Sequence, residues 1–450
     1  MPGIFPPAFE NRMKSTLGHE WSDFVRAHEQ PVPVSIRINP NKGTSRPNKK
    51  IPWTEFGYYL PTRPSFTLDP AIHAGAYYVQ EASSMFLEQA IKQSTELDKP
   101  LRVLDLCAAP GGKSTHLLSL INRNSLLVSN EVIRSRAQIL AENIQKWGCA
   151  NVIVTNSDPE AFQKLNGFFD VIVVDAPCSG EGLFRKDPDA SKEWSEDHVV
   201  LCSTRQRRII NDVWPALREN GLLIYSTCTF NHAENEDTLH WLAENQSVEF
   251  IDLDILPEWK IKKVKSGKVL GYRFYPHQVE GEGFFISVMR KLDSEQEIRI
   301  RPGRNFSLAS RTISDQLQTW TLDPEYFKTI RQDNLLIHIP SAWYDEMAYI
   351  SNQLHVVSKG TAVAEVKHDK LIPEHAMALS THLNRKHFQV IDLTPDQALS
   401  YLRKESLQIG EGQKGFALVT YDGYALGWVN LLGNRVNNLY PSSWRIRMSS

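Results

Sequence analysis

Two cysteines of this chain stand in the kind of loop where a thiol can do chemistry. Cys178 lies in DAPCSGEG and Cys228 in STCT, and each follows an apolar run. A thiolate so placed can add to carbon 6 of cytosine, which makes carbon 5 nucleophilic enough to attack a sulfonium methyl group. Asp175, three residues before Cys178, is placed to hydrogen-bond N3 or the exocyclic amine and ease that addition.

Other cysteines have a plainer interpretation, because a cysteine in a strand-to-helix loop is more often a small buried residue than a nucleophile. Cys107 is open to that interpretation, and Cys149 and Cys202, in helical or turn contexts without neighbouring acids or glycines, are expected to be buried. Cys178 and Cys228 differ because both follow strands whose carboxyl ends should face one crevice.

A loop of small residues, within DLCAAPGGK at 105–113, predicts a ligand site between the first core strand and its helix. It is not a phosphate-binding loop, because Cys107 replaces the glycine needed five positions before Gly112. The dinucleotide fingerprint GxGxxG is also absent from the sequence. Small residues still allow the backbone to approach a ligand at the helix N-terminus.

Acids stand at the ends of the following strands: Glu131 after the second, Asp158 after the third and Asp175 at the end of the fourth. Any one of them could merely reflect that strand ends are polar. As a series they supply the acceptors that ribose hydroxyls and an adenine amine require. Acidic walls also suit the cation of S-adenosylmethionine, so we expect that cofactor.

Strands and helices alternate through the middle of the chain, as in a parallel sheet covered on both faces. We therefore predict an α/β, doubly wound, Rossmann-like methyltransferase core at 96–292, closed by the strand GEGFFISVMRKL. A small α/β appendage at 1–95 precedes it, with one opening helix and an RNA-binding role. A linker and small mixed region occupies 293–374, and a compact β-rich module occupies 375–450.

Composition excludes several classes of protein. The 450 residues carry 50 basic and 52 acidic side chains, so no global positive field indicates nucleic acid, although the last module has eight Lys or Arg against five Asp or Glu. Five cysteines without a CxxC pair argue against disulfides and against a metal site, and fit a reducing cytosol. No apolar run reaches the roughly 18 residues that span a bilayer.

The motifs together resemble the Sun-type (Nop/Sun) family of RNA cytosine-C5 methyltransferases over roughly residues 30 to 290. The resemblance is carried by SIRIN, YYVQEASSM, LDLCAAPGGKSTHL, NEV, NSD, DVIVVDAPCSGEGLFRKDPD, YSTCTFNHAENE and PHQVEGEGFF. The C-terminal pattern GFALVTYDGYALGWVNLLGNRVNNLYP resembles the PUA-like RNA-binding module of the bacterial 16S ribosomal RNA enzymes.

This resemblance implies roles for individual residues. Cys228 would attack carbon 6, Cys178 would assist release of the methylated base, and Lys113 would touch that base. The family's S-adenosyl-L-methionine positions correspond to Cys107, Ala108, Ala109, Pro110, Gly111, Gly112, Lys113, Glu131, Asp158 and Asp175.

Ribosomal RNA or the small ribosomal subunit is the expected partner, ahead of transfer RNA, because of the C-terminal module. A non-catalytic RNA-binding assembly factor is the competing hypothesis, and the intact cysteine motifs argue against it. We expect a cytoplasmic monomer that binds neither membrane nor DNA. Five basic residues after the Cys178 loop are candidates for phosphate contacts or a solvated helix face: Arg185, Lys186, Arg205, Arg207 and Arg208.

Overall fold

The computed structural model describes residues 5–43, 46–300, 306–368, 370–409, 413–433 and 435–448. Within these ranges no helix is long and apolar enough to cross a membrane. The described strands form four sheets.

The N-terminal part is a four-stranded antiparallel sheet with helices around it. The order is β2-β3-β1-β4. The predicted opening helix is two helices, because the chain turns at Gly18 with a positive φ of 54°. The elements are α1 (Pro7–Leu17), α2 (Trp21–His28), β1 (Val34–Ile38), β2 (Lys49–Lys50), β3 (Gly57–Leu60), α3 (Pro70–His73), β4 (Tyr77–Val79) and α4 (Leu87–Ser94).

The core begins with alternating strands and helices, as the apolar pattern predicts. These elements are β5 (Arg102–Asp105), α5 (Gly112–Leu120), β6 (Leu126–Asn130), α6 (Arg134–Trp147), β7 (Val152–Thr155), β8 (Phe169–Asp175), α7 (Pro188–Glu193), α8 (Glu196–Val213) and β9 (Leu217–Thr227). The remaining core elements are α9 (Glu236–Asn245), β10 (Val248–Phe250), β11 (Lys262–Ser266), β12 (Val269–Phe274) and β13 (Phe284–Lys291).

Five parallel strands, in the order β9-β8-β5-β6-β7, form the centre of the main sheet. Successive residues of a strand face opposite sides, so Val103 packs under α5 and α6 while Leu104 packs on the α8 side. The α/β, doubly wound fold class is confirmed.

Beyond these ranges the middle region and the C-terminal module each have their own sheet. The middle elements are β14 (Ser307–Leu308), α10 (Arg311–Gln318), β15 (Phe327–Gln332), β16 (Leu335–Pro340), α11 (Tyr344–Gln353), β17 (Val356–Lys359), β18 (Thr361–Lys367) and β19 (Lys370–Pro373). The last elements are α12 (His375–Leu379), β20 (Gln389–Asp392), α13 (Pro395–Leu402), β21 (Gly415–Tyr421), β22 (Tyr424–Leu431) and β23 (Val436–Asn438).

Two strands differ from the sequence prediction. The segment expected to close the sheet, β13, lies inside it, because the antiparallel strands β12 and β11 continue beyond. At the opposite edge β17, from the region predicted as a linker and small mixed region, pairs with β7. Side-chain patterning does not encode either neighbour. The pairing of β13 with β12 depends on a local chain reversal, and that of β17 with β7 joins segments far apart in sequence.

Candidate active site

The small-residue loop between β5 and α5 is held in place by α6. Gly111 precedes the helix with φ 115°, a conformation that L side chains rarely adopt, and a Cβ there would lie 3.3 Å from Leu140 Cδ1. Arg136 donates to the Ala109 carbonyl at 2.9 Å, and Asn143 donates to the Pro110 carbonyl at 2.7 Å. Residues 107–112 thus present their backbone at the carboxyl end of β5.

Of the predicted cofactor acids, Glu131 lies in the crevice and is buried. It accepts a hydrogen bond from the Ile133 amide at 2.9 Å and pairs with Arg136 at 3.2 Å. Asp158 is more open, with 53% of its side chain exposed, and forms an ion pair with Arg208 at 2.7 Å.

Asp105 is a third acid in this crevice that the sequence analysis did not select. Its Oδ2 accepts from Ser114 at 2.7 Å, while its buried Oδ1 has no hydrogen-bond partner among the described residues. Burial raises the pKa of the Asp105 carboxyl to about 7. Its place at the end of the first strand was the available signal, but burial without a partner is not visible in sequence.

The crevice fits a cationic cofactor. Burial raises the pKa of the Cys107 thiol, and the charges of Asp105, Asp175 and Glu131 raise it further, so three carboxyl groups surround this position. Asp105 Oδ1 leaves a buried acceptor unused. These residues suit a sulfonium with an amino group and a ribose better than a phosphate.

Asp175 and Lys113 form an ion pair at the end of β8. Lys113 Nζ lies 2.7 Å from Asp175 Oδ2, and Ser226 donates to Asp175 Oδ1 at 2.8 Å. Burial lowers the pKa of Lys113, but the charge of Asp175 and the hydrogen bond to it outweigh burial, so the pKa is raised overall. The carboxylate, 36% exposed, keeps access to a ligand.

The two candidate cysteines are in contact. Strands β8 and β9 run parallel with Asp175 opposite Ser226, so the loops that follow them meet, and Cys178 Sγ lies 3.0 Å from Cys228 Sγ. The Cys228 amide also points at Cys178 Sγ, at 3.3 Å. The hydrogen bond to Cys228, followed by burial, raises the pKa of Cys178 well above that of a free thiol. Cys178 therefore keeps its proton near neutral pH.

Glu234 supports the Cys178 loop, and sequence reasoning missed it. Its carboxylate accepts from the Ser179 amide at 2.8 Å and from Gln206 at 3.0 Å, and Gln206 also donates to the Pro177 carbonyl. Burial raises the pKa of Glu234. The only sequence signal was its place in the NHAENE segment that follows Cys228.

The remaining predicted residues lie outside this cluster. Arg185, a candidate for phosphate contact, is wrong in that role, because its side chain is 5% exposed and pairs with Glu282 at 2.8 Å. Arg208 is exposed but engaged by Asp158. Cys202 is buried, as expected, whereas Cys149 is partly exposed. Among the described residues, no group of three or more His, Cys, Asp or Glu could hold a metal ion.

Three known families match successive parts of the chain. Residues 93–290 match the family described as 16S rRNA methyltransferase RsmB/F. Residues 5–82 match the N-terminal domain of 16S rRNA methyltransferase RsmF, and residues 388–446 match the methyltransferase RsmF PUA domain.

Two relatives that match nearly the whole chain are each named Ribosomal RNA small subunit methyltransferase F. The protein of Aliivibrio fischeri is 32% identical over 467 residues, covering 97% of each chain. That of Shewanella piezotolerans is 30% identical and covers 97% of this chain and 96% of its own.

Solved structures share the fold. A methyltransferase homolog protein from Pyrococcus horikoshii is 29% identical with a TM-score of 0.52, over 61% of this chain and 92% of its own. NSun6 from Pyrococcus horikoshii, solved with SFG, shares the fold at a TM-score of 0.54 and 21% identity, over 65% of this chain and 99% of its own.

Fold and site together define a Rossmann-like methyltransferase with an N-terminal domain and a C-terminal PUA domain. The chain belongs to the RsmF family of 16S ribosomal RNA methyltransferases, which it matches along its whole length. The family resemblance read from the motifs is thereby confirmed.

Proposed function

We propose that this protein transfers a methyl group from S-adenosyl-L-methionine to carbon 5 of a cytosine in 16S ribosomal RNA, through a covalent adduct on Cys228. The observation that carries the proposal is the contact of the two thiols, 3.0 Å apart, on the loops that follow Asp175 and Ser226. The relatives' name supports ribosomal RNA as the substrate, and the PUA domain supports binding to RNA.

The chemistry divides between the two cysteines. The cofactor, when bound, supplies an electrophilic methyl group. Cys228 Sγ forms a bond to carbon 6, carbon 5 takes the methyl group and loses its proton to a base, and the bond from carbon 6 to sulfur breaks as the C5–C6 double bond returns. Cys178 keeps its thiol proton because its pKa is raised, so its S–H can donate a hydrogen bond to the departing sulfur of Cys228 and assist its release.

Asp175 and Lys113 act on the base. A carboxylate at the end of β8 can accept from the exocyclic amine of cytosine or hold a proton at N3, which makes carbon 6 more electrophilic. Lys113, 2.7 Å from Asp175, keeps that carboxylate oriented. Residues 107–113 with Glu131, Asp158 and Asp175 would hold the cofactor, and Asp105 joins them on the geometry above.

Transfer RNA is the second candidate substrate, and a non-catalytic assembly factor is the alternative function. The paired thiols favour an enzyme, since a scaffold needs neither. We also propose a cytoplasmic monomer that acts on RNA and not on DNA. Loss of one unconverted cytosine in bisulfite-sequenced 16S ribosomal RNA, but not transfer RNA, on deletion of the gene would identify the substrate class.

The two thiols give the sharpest test, because opposite outcomes follow from the same change. Cys228→Ala should abolish methylation and form no adduct, while cofactor binding persists. Cys178→Ala should still add and methylate but fail to release, leaving a protein–RNA adduct on denaturing gels run with radiolabelled RNA and cofactor.

Cys202→Ala, which changes a buried cysteine on α8 instead of one in the two cysteine loops, is the matched control and should methylate without an adduct. An adduct trapped by Cys228→Ala instead would reverse the roles. Normal turnover in both variants would contradict the proposed mechanism.

A further inference from the structure

A cavity of about 300 Å³ lies between the N-terminal sheet and α6, outside the cluster around the two thiols. Four aromatic residues line it: Phe66, Tyr77, Tyr78 and Trp147. None of its described lining residues is acidic, and the non-aromatic ones include Asn143 and Lys146. We call this space the aromatic pocket.

The aromatic pocket has polar atoms to offer. The Trp147 side chain is 1% exposed, and its indole N–H has no hydrogen-bond partner among the described residues. A buried donor left unpaired costs about 1–3 kcal/mol. The side-chain amide of Asn143 donates to the Pro110 carbonyl. The side-chain carbonyl oxygen of Asn143 remains as an acceptor on the pocket wall.

Positive charge borders the aromatic pocket. Lys146 Nζ lies 4.9 Å from the centre of the Trp444 ring and forms no ion pair among the described residues. Burial lowers the pKa of Lys146, and a phosphate beside it would raise that pKa again. Arg63 is exposed, and its guanidinium lies 5.6 Å from the centre of the Phe66 ring.

The aromatic pocket lies where three parts of the chain meet. Tyr78 touches the cofactor loop, since a Cβ on Gly112 would lie 3.4 Å from its Cε1. Asn143 bonds Pro110 of the same loop. Trp444, on the cationic side, belongs to the C-terminal module. A ligand here would be positioned against the catalytic core and the PUA domain together.

We propose that the aromatic pocket binds a nucleobase of the substrate RNA, a second unstacked nucleotide in addition to the target cytosine. RNA is commonly recognised through unstacked bases that lie on aromatic rings and hydrogen-bond at their edges. The rings and the Asn143 carbonyl match those needs, while Lys146 and Arg63 match the flanking phosphates. The inference rests on the proposed function for RNA as the ligand class.

Fluorescence anisotropy of a labelled, structure-free ten-nucleotide RNA on the full-length protein tests the pocket. Phe66→Ala and Lys146→Met should each weaken binding about tenfold, the size of effect that loss of one stacked base produces. Replacing single nucleotides of the RNA by abasic ones should weaken wild-type binding similarly at one position, and should have little effect in Phe66→Ala.

The chain offers matched controls in its middle region. Lys359, whose pKa burial also lowers, lies 5.2 Å from the centre of the Phe306 ring, and Phe306 is half-buried against Tyr344. Phe306→Ala and Lys359→Met should bind RNA within about twofold of the wild type. Equal losses in the two pairs, or no loss at Phe66 and Lys146, would overturn the inference.

Photo-crosslinking covers the case in which Phe66→Ala does not fold. Wild-type protein irradiated with the same RNA containing 4-thiouridine should yield crosslinks within residues 66–79 or 143–147, and crosslinks confined to other segments would overturn the inference. Wild-type methylation of ribosomal RNA is measured separately. If it occurs while the pocket variants bind normally, the pocket inference alone fails, and if it is absent, the proposed function fails.

Discussion

Asp105 is a carboxyl group whose protonation and ligand should be coupled. It is fully buried, Ser114 donates to only one of its oxygens, and burial raises its pKa to about 7. A cation bound beside it favours the ionised form. Near neutral pH, the free protein is partly protonated at Asp105, and cofactor binding should release that proton.

We predict that affinity for S-adenosylmethionine falls as the pH drops through 7, because a raised pKa means the carboxylate is present only above it. Between pH 8 and pH 6 the loss should be about tenfold for one required ionisation. Titration calorimetry across this range, in buffers of different ionisation enthalpy, measures both the affinity and the released proton.

Asp105→Asn should bind S-adenosylmethionine more weakly than the wild type at pH 8, and its affinity should no longer depend on pH in this range. Asp323→Asn, which changes a half-exposed acid paired with Arg123 outside the cofactor site, is the control and should keep the wild-type profile. A flat profile in the wild-type protein would remove Asp105 from cofactor binding.

The sequence predicted the site residues that follow directly after strands. It missed the residues whose role depends on tertiary contacts. Cys178, Cys228 and Asp175 follow apolar strands, so their meeting at one sheet edge was predictable. Glu234 was not, because it acts through Ser179 and Gln206, which lie far from it in sequence. Which carboxylate is buried depends on tertiary packing, and motif spacing does not contain that information.

At the scale of elements, Arg37 of β1 joins the N-terminal sheet to the first turn of α5. Its side chain is fully buried, and its guanidinium donates to the Gly112 carbonyl at 3.2 Å and to Thr115 Oγ1 at 2.6 Å. The same guanidinium lies 4.5 Å from the centre of the Trp147 ring on α6. One side chain therefore positions the helix that begins at the cofactor loop.

We predict that Arg37→Met lowers the free energy of unfolding by about 3 kcal/mol, because several buried acceptors lose a charged donor. It should also weaken cofactor binding, since the start of α5 is no longer held. Denaturant unfolding and equilibrium binding measure the two effects.

Arg102→Met is the matched control, because Arg102 also lies over a ring, that of Phe168 at 4.9 Å, but is only partly buried and does not contact α5. It should lose less stability and keep cofactor affinity. Equal losses of stability and of cofactor affinity in the two variants would show that Arg37 has no specific role in positioning the cofactor loop.

At the scale of the whole molecule, the C-terminal module shares a core with the regions before it. Leu418 and Trp428 pack in one cluster with Leu317, Trp320 and Leu336 of the middle region. Ala74 of the N-terminal part joins the core of the module itself. A boundary near residue 375 was expected from the pattern of a helix, turns and short apolar runs, but that pattern does not show that apolar side chains cross it.

We predict that deleting residues 388–450 lowers the melting temperature of the remainder by roughly 5–10 °C, because the deletion exposes the apolar side chains that faced Leu418 and Trp428. Differential scanning calorimetry of both proteins measures this change. If the truncated protein has the same melting temperature as the full-length protein, the module folds independently of the rest of the chain. RNA binding of the truncated protein is interpretable only after this comparison.

The order of strands in the main sheet also bears on synthesis of the chain. An unpaired edge strand can pair with another chain and so cause aggregation. At one edge of the sheet, β11 exposes Lys262, Lys263 and Lys265, and charged side chains oppose such pairing. At the other end of the parallel strands, β7 is paired with β17. The covering strand leaves the ribosome about 200 residues after β7, which at ~5–20 residues per second is roughly 10–40 s. During that interval the nascent core presents an open edge, so it should be most prone to aggregate, and most dependent on chaperones, before the middle region has been made.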